Sequence, residues 1–172
     1  MKVRTARTRN VLAMLFIAGS LWASAAFAAS APDVRSLAGS WTLVAADVQH
    51  SDGSRTPDYG ARSTGLLLID RQGHYSLQIF KSERSKFGSG DKAKGTEGEY
   101  KAAVMGSSTH FGTLSIEPGD GVLVFHIQGA SFPNWEGQAQ SRHYELKNNM
   151  LSYRVAPRPN GDVPISVWQR ID

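Results

Sequence analysis

The sequence contains no cysteine, which excludes several classes of protein at once. Without a thiol the chain cannot form a disulfide, a CxxC redox pair, a thiolate zinc site, a covalent haem attachment or a cysteine nucleophile. Charged residues are also sparse, at 20% of the 172 residues, and no long block carries one sign. Because the hydrophobic content is 41%, we expect one folded domain rather than a disordered chain.

Acidic residues are absent from the first 28 positions, which carry four cations, Lys2, Arg4, Arg7 and Arg9. An apolar run follows and ends in Ala26-Phe27-Ala28, the A-x-A site of a secretory signal peptide. The run is too short and too rich in Ser, Gly and Ala for a membrane anchor. We therefore expect residues 1–28 to be cleaved after Ala28, and residues 29–172 to form a periplasmic or secreted domain with no membrane span.

The net charge of +4 comes entirely from that leading segment. Without its four cations the chain has 15 basic and 15 acidic side chains, so the mature domain is neutral. This removes the electrostatic basis for binding nucleic acid or an anionic membrane surface.

Common catalytic and cofactor motifs are missing as well. The sequence has no HxH or HExxH spacing, no GxSxG, no P-loop, and no GxGxxG ahead of a helix. Its five histidines lie on different segments, so we assign no metal ligand, no cofactor and no catalytic residue.

Short apolar stretches separated by Gly, Pro, Asn and Asp predict an all-β fold, an antiparallel meander closed as a barrel or stacked as a sandwich. Between the third and fourth strands, Ser82–Ser108 carries Thr96-x-x-Glu99, a capping-box pattern that predicts a helix. The eight predicted strands are Trp41–Val48, Thr64–Ile69, His74–Lys81, Thr109–Glu117, Val122–Ala130, Gln138–Lys147, Met150–Val155 and Pro164–Ile171.

Three hairpin turns predict which side chains share a face. A turn over residues 70–73 predicts one apolar face made of Leu66, Leu68, Tyr75, Leu77 and Ile79. A turn over residues 118–121 predicts a second, with His110, Gly112, Leu114, Ile116, Leu123, Phe125 and Ile127. The Asn148-Asn149 turn predicts a third, with Arg142, Tyr144, Leu146, Leu151, Tyr153 and Val155.

Polar groups therefore fall on faces that should point into the barrel. An inward arginine needs a counter-charge, carbonyl oxygens or an anionic ligand, because burying it alone is costly. One guanidinium and several phenols in an apolar chamber suit an amphiphile with a carboxylate or oxygenated end. The alternative is that Arg142 pairs with Glu99 or Glu136 and the tyrosines fill the core. The predicted ligand-binding residues are Tyr75, His110, Phe125, Arg142, Tyr144 and Tyr153.

Gly39-Ser40-Trp41 is a G-x-W motif at the head of the first strand, and TGLLLIDRQGHYSLQIF and SFPNWEG follow downstream. In this order the segments resemble the bacterial and fungal lipocalin-like domain family over most of residues 37–171. The resemblance implies an eight-stranded antiparallel up-and-down barrel with a cavity. It also implies structural roles for Trp41 and Arg170, which should pack together near one barrel end. Trp135, in the SFPNWEG segment, either roofs a cavity entrance or covers the core beneath its loop, and we expect the second role.

Three functions follow as hypotheses. The first is an exported protein that binds a small hydrophobic or amphiphilic ligand in the barrel. The second is an isomerase, cyclase or hydrolase that acts on a lipophilic metabolite, with His110 or a tyrosine transferring protons. The third is an exported protein-binding module or inhibitor that acts through loops such as the basic stretch over residues 82–94.

Overall fold

The computed structural model describes residues 33–119 and 121–172. The predicted signal peptide over residues 1–28, with its cleavage point, lies outside these residues. The described elements are β1 (Gly39–Gln49), β2 (Arg55–Pro57), β3 (Thr64–Ile69), β4 (His74–Phe80), α1 (Glu97–Met105), β5 (Ser107–Glu117), β6 (Val122–Ala130), β7 (Ala139–Lys147), β8 (Met150–Arg154) and β9 (Val163–Arg170).

Eight of these strands close into one antiparallel barrel. Strands β3 to β9 pair in sequence order, and β1 pairs with both β3 and β9, which joins the two edges of the sheet. The predicted up-and-down barrel is therefore confirmed. The ninth strand, β2, pairs only with the end of β1 and was not predicted. It has three exposed residues that include Pro57, so it carries no alternating pattern.

One end of the barrel is closed. The turns that connect β3 to β4, β5 to β6 and β7 to β8 all lie at this end, together with a 3-10 turn over Val34–Leu37. Trp41 is fully buried there, and its indole N–H donates to the Leu37 carbonyl at 3.0 Å. The Arg170 guanidinium covers the Trp41 ring at 4.1 Å and donates to the Ser36 carbonyl at 2.7 Å. The structural roles that the resemblance implied for Trp41 and Arg170 are confirmed.

Two of the three predicted hairpin registers are confirmed. Leu114 pairs with Phe125 across the second hairpin, and Tyr144 pairs with Tyr153 across the third. Asn148 and Asn149 both have positive φ, as a two-residue turn of this kind requires. The inward positions of Phe125 and Tyr153 follow from these registers, and both side chains are fully buried.

The first hairpin differs from the prediction by one residue. Ile69 pairs with Tyr75, so Leu67 and Ile69 point into the barrel, while Leu68 is 41% exposed. The cause is Gly73, whose φ of +87° makes residues 71–73 a three-residue loop closed by a hydrogen bond from the Asp70 N–H to the His74 carbonyl. Since side chains alternate along a strand, this one-residue shift turns Leu66 and Leu68 away from the interior.

The helix in the insertion begins with the predicted capping box. The Glu99 N–H donates to the Thr96 hydroxyl, and the Glu99 carboxylate accepts from the Thr96 N–H at 2.7 Å. The same carboxylate accepts from the Gly88 N–H, which fastens the preceding loop to the helix. Among the described residues, no helix is long and apolar enough to cross a membrane.

Because Gly73 is closely packed in its loop, we predict that Gly73→Ala will lower the free energy of unfolding more than Gly161→Ala. Both glycines have nearly the same φ, +87° and +86°, so alanine at either position costs about 1–2 kcal/mol in backbone strain. A Cβ at Gly73 would also lie 2.9 Å from the Leu114 carbonyl oxygen, whereas Gly161 has open space. Urea denaturation of the two variants would measure the difference, and equal losses would contradict the proposed packing of this loop.

Candidate ligand-binding site

The open end of the barrel contains a cavity of about 590 Å³. Loops and the ends of β4, β5, β7, β8 and β9 surround it, because the connections at this end are the long ones. Its inner surface includes His110, Arg142 and Tyr153, and its apolar wall includes Tyr59, Ile79, Trp135 and Val155. Below these residues the closed half of the barrel is filled by fully buried Trp41, Leu67, Leu123, Phe125, Leu151 and Trp168. The barrel is therefore hollow at one end and packed at the other.

Arg142 is a buried cation with no acidic partner among residues 33–119 and 121–172. The guanidinium lies 3.9 Å above the Phe125 ring and 5.0 Å from the Tyr153 ring. One of its terminal nitrogens, Nη2, donates to the Gln140 side-chain oxygen at 3.0 Å. Burial lowers the pKa of Arg142, and the nearby phenol oxygens of Tyr153 and Tyr75 partly oppose this. The faces of the two aromatic rings and the Gln140 amide oxygen thus compensate for only part of the hydration energy that the guanidinium loses on burial.

The alternative that Arg142 pairs with Glu99 or Glu136 is wrong. The Glu99 carboxylate is bound to the N-terminal end of α1 and to the loop before it. The Glu136 carboxylate is exposed and accepts from the Ala130 N–H. The five ion pairs of the described residues include neither glutamate and do not include Arg142.

His110 lies beside Arg142 and is neutral. Burial, reinforced by the Arg142 charge, lowers the pKa of His110 to about 3. Its Nε2 is 3.4 Å from Arg142 Nη2, and its Nδ1 is 2.8 Å from the Tyr75 hydroxyl. A guanidinium can only donate, so Nε2 must accept and Nδ1 must carry the proton. The imidazole therefore donates to Tyr75, and the Tyr75 O–H has no acceptor among the described residues.

Two further polar atoms next to the cavity have no hydrogen-bond partner among the described residues. They are Nε of Arg142 and the hydroxyl of Tyr153, both fully shielded from solvent. Tyr153 lies close enough to the guanidinium to stabilise its charge, but the two groups do not form a hydrogen bond of good geometry. The indole N–H of Trp168 is also unpartnered, but it lies in the closed half and does not line the cavity. Leaving such donors unpaired costs stability, so an acceptor is the group this surface lacks.

The rim of the cavity is held by two polar clusters. His50 lies between the Asp162 carboxylate, 3.0 Å from Nδ1, and the Thr56 hydroxyl, 2.9 Å from Nε2. Asp58 and Arg158 form a two-point ion pair with contacts of 2.5 and 3.3 Å. These contacts tie the segment around β2 to the loop between β8 and β9, and they fix one side of the opening.

Five of the six predicted ligand-binding residues lie together. His110, Arg142 and Tyr153 line the cavity, while Tyr75 and Phe125 lie directly beneath and contact them. Tyr144 does not belong to this group, although it is on the predicted face. It is part-exposed and lines a separate groove with Met150 and Arg154, although its cross-strand partner Tyr153 lines the cavity.

Tyr59 and Gln140 are site residues that the sequence reasoning missed, and Trp135 is one that it considered but did not select. Trp135 packs against the core, as expected, and also lines the cavity, which was the alternative; its ring is 6.0 Å from His110. Tyr59 reaches the cavity from a loop, where no periodic pattern predicts which way a side chain points. Gln140 could have been found, since it lies two residues before Arg142 on the same face of β7.

The model of one protein family, described as a lipocalin-like domain, matches residues 38–171. The chain belongs to the lipocalin-like domain family. Among solved structures, the chain is similar to one titled REP1-NXSQ fatty acid transporter, with 17% identity and a TM-score of 0.35. The match covers 80% of this chain and 97% of that one. No curated protein matches the chain.

The chemistry of this lipocalin-like site favours holding a ligand over moving protons. With a pKa of about 3, His110 is a weak base at neutral pH, and burial raises the pKa of Tyr75 well above its usual range. Neither value suits proton transfer near pH 7. Within the described ranges, no three His, Asp or Glu side chains lie close enough together to hold a metal ion.

We predict that His110 makes the domain less stable as the pH falls from about 6.5 towards 3. The folded state keeps His110 unprotonated in this window, whereas the unfolded state takes up a proton, so stability falls by up to about 1.4 kcal/mol per pH unit. His110→Gln should flatten this part of the pH profile. His126→Gln, at an exposed position on the outer face, is the matched control variant.

Urea denaturation at pH 7, 6, 5 and 4 gives the slope of the free energy of unfolding against pH. A substitution that lowers stability equally at every pH does not change this slope. NMR should show an imidazole signal of His110 that does not shift between pH 5 and 8. Titration of that signal near pH 6.5 would show that the ring is not buried against Arg142.

Proposed function

We propose that this protein is an exported binding protein for a small hydrophobic or amphiphilic molecule with a carboxylate or oxygenated end. The observation that carries the proposal is the cavity of about 590 Å³, whose inner surface includes the buried Arg142 guanidinium, a cation without an acidic partner among the described residues. Its volume falls within the range of small-molecule sites, which combine apolar walls with a few convergent polar groups.

The arrangement of the lining supports one orientation of the ligand. Arg142 and Tyr153 lie at the inner side of the cavity, whereas Tyr59, Trp135 and Val155 belong to its apolar wall. Phe125 closes the space below the guanidinium. An oxygenated end would therefore face inward, and the apolar body would lie along the wall towards the opening.

Export is the second part of the proposal. The cations before residue 10, the apolar run and Ala26-Phe27-Ala28 support a cleaved signal peptide and a periplasmic or secreted protein. Expression of the full chain in a bacterial host, followed by intact mass measurement, tests this. The expected mature protein begins at Ala29 and is recovered outside the cytoplasm; full-length protein in the cytoplasm would contradict it.

Binding is tested on protein purified from its host and analysed by native mass spectrometry, followed by solvent extraction. We expect a bound small molecule, or stabilisation against heat by amphiphiles such as octanoate, since a ligand that binds only the folded state stabilises it. Failure of both measurements across fatty acids, isoprenoids and aromatic acids would contradict the proposal.

We further predict that Ala156→Trp abolishes binding while Ala93→Trp does not. Ala156 is an exposed residue that lines the cavity, so a large ring can fill the opening without disturbing the core. Ala93 is equally exposed but lies in the insertion, away from the lining. Equilibrium dialysis against octanoate compares the two variants; equal affinity would place the binding site elsewhere.

A further inference from the structure

We propose that the ligand is a monoanion, of which a monocarboxylate is the model, and that its charged group binds Arg142 and Tyr153 at the inner side of the cavity. This rests on the proposed function and narrows it from an oxygenated amphiphile to one charge type. Three observations support it: hydrogen-bond donors without acceptors beside the cavity, a single positive charge at the site, and the packing of Phe125 beneath the guanidinium.

Each of the unpartnered polar groups beside the cavity has an N–H or O–H that lacks an acceptor among the described residues. Arg142 Nε has only an N–H to offer, and the Tyr153 hydroxyl has a proton with no acceptor. The tautomer of His110 adds the Tyr75 O–H to this set. A carboxylate offers two oxygens with several lone pairs and no proton, so it complements a site of surplus donors. An amine or an amide N–H would bring another donor to a site that already lacks acceptors.

The site carries one positive charge. His110 is the other ionisable side chain that contacts Arg142, and it stays neutral because burial and then the Arg142 charge disfavour its protonated form. At the rim, Asp58 and Arg158 neutralise each other through their ion pair. A single buried cation balances a single negative charge, whereas a phosphate monoester dianion would leave one negative charge buried without a partner.

The packing beneath the guanidinium fixes how deep the anion can go. Phe125 is fully buried against Arg142, and the Phe125, Tyr75 and His110 rings contact one another edge to face at 5.0 to 5.6 Å. The charged group is therefore held at the level of Arg142 with its apolar body towards the opening. The charge, rather than chain length, should decide which amphiphiles bind well.

The decisive experiment compares three probes that share one tail: octanoate, 1-octanol and octyl phosphate. By calorimetry at pH 7.5, we expect octanoate to bind at least tenfold more tightly than either of the others, because charged hydrogen bonds contribute more than neutral ones. Octyl phosphate loses its second proton near pH 6, so lowering the pH to 5 should strengthen its binding. The binding of octanoate should weaken with added salt only slightly, since the pair is buried.

A matched pair of variants tests the assigned contact. Tyr153→Phe removes one unpartnered hydroxyl, so we expect octanoate affinity to fall about tenfold, and by more than octanol affinity, with resistance to urea not reduced. Tyr144 is the cross-strand partner of Tyr153 but lies outside the cavity, so Tyr144→Phe should change neither affinity. Arg142→Gln should remove the preference for octanoate over octanol.

The outcomes separate this inference from the proposed function. Equal affinity for octanoate and octanol would overturn the monoanion assignment and leave a binding protein for neutral molecules. Tighter binding of octyl phosphate than of octanoate at pH 7.5 would overturn the single-charge assignment in the same way. Absence of binding by all three probes, together with a protein that carries no molecule from its host, would overturn both proposals.

Discussion

The Arg142 guanidinium is buried against Phe125 with no acidic partner in the part of the chain that the structure describes, and the open half of the barrel depends on this constraint. A cation removed from water must be compensated, and here the compensation is partial: two ring faces, one glutamine oxygen and a weak contact with an imidazole. Burial, reinforced by this charge, keeps His110 neutral, and the guanidinium determines which imidazole nitrogen carries the proton. This one buried charge thus determines which atoms of His110 and Tyr75 donate hydrogen bonds and which accept them.

Two arginines, Arg142 and Arg170, stack on aromatic rings in this barrel, and they differ in whether the fold satisfies their hydrogen-bond donors. Arg170 covers Trp41 at the closed end, and its terminal nitrogens donate to the carbonyls of Ser36 and Ala38, so its hydrogen bonds are used within the fold. Arg142 covers Phe125 beneath a cavity and retains an unpartnered Nε–H. Arg170 therefore uses its donors to close the domain, whereas Arg142 lies beside the cavity and keeps a buried donor without a partner among the described residues.

Local sequence signals account for most of the fold and about half of the site. The bounds of β3 and β6, the Asn148-Asn149 turn and the Thr96 capping box depend on near neighbours, so they could be predicted from the sequence. The first hairpin was misplaced because Gly73 adds a loop residue, and no residue pattern distinguished that turn from a tighter one. Alternation gives the face of a side chain but not how closely its neighbours cover it, so the cross-strand partners Tyr144 and Tyr153 were equivalent in the sequence, whereas in the structure Tyr153 is buried beside the cavity and Tyr144 is partly exposed outside it.

The identity of residue 110 shows why the charge of Arg142 remains available. An aspartate or glutamate at this position would lie within reach of the guanidinium, neutralise it and satisfy its donors, and the cavity would lose its need for an anion. A protonated histidine would add a second cation and repel the first. A neutral histidine, fastened by Tyr75 and accepting a long hydrogen bond from Arg142, orients the guanidinium without cancelling its charge. The closed half, packed around Trp41 and Trp168, supplies the stability that offsets the unpaired donors at the open end.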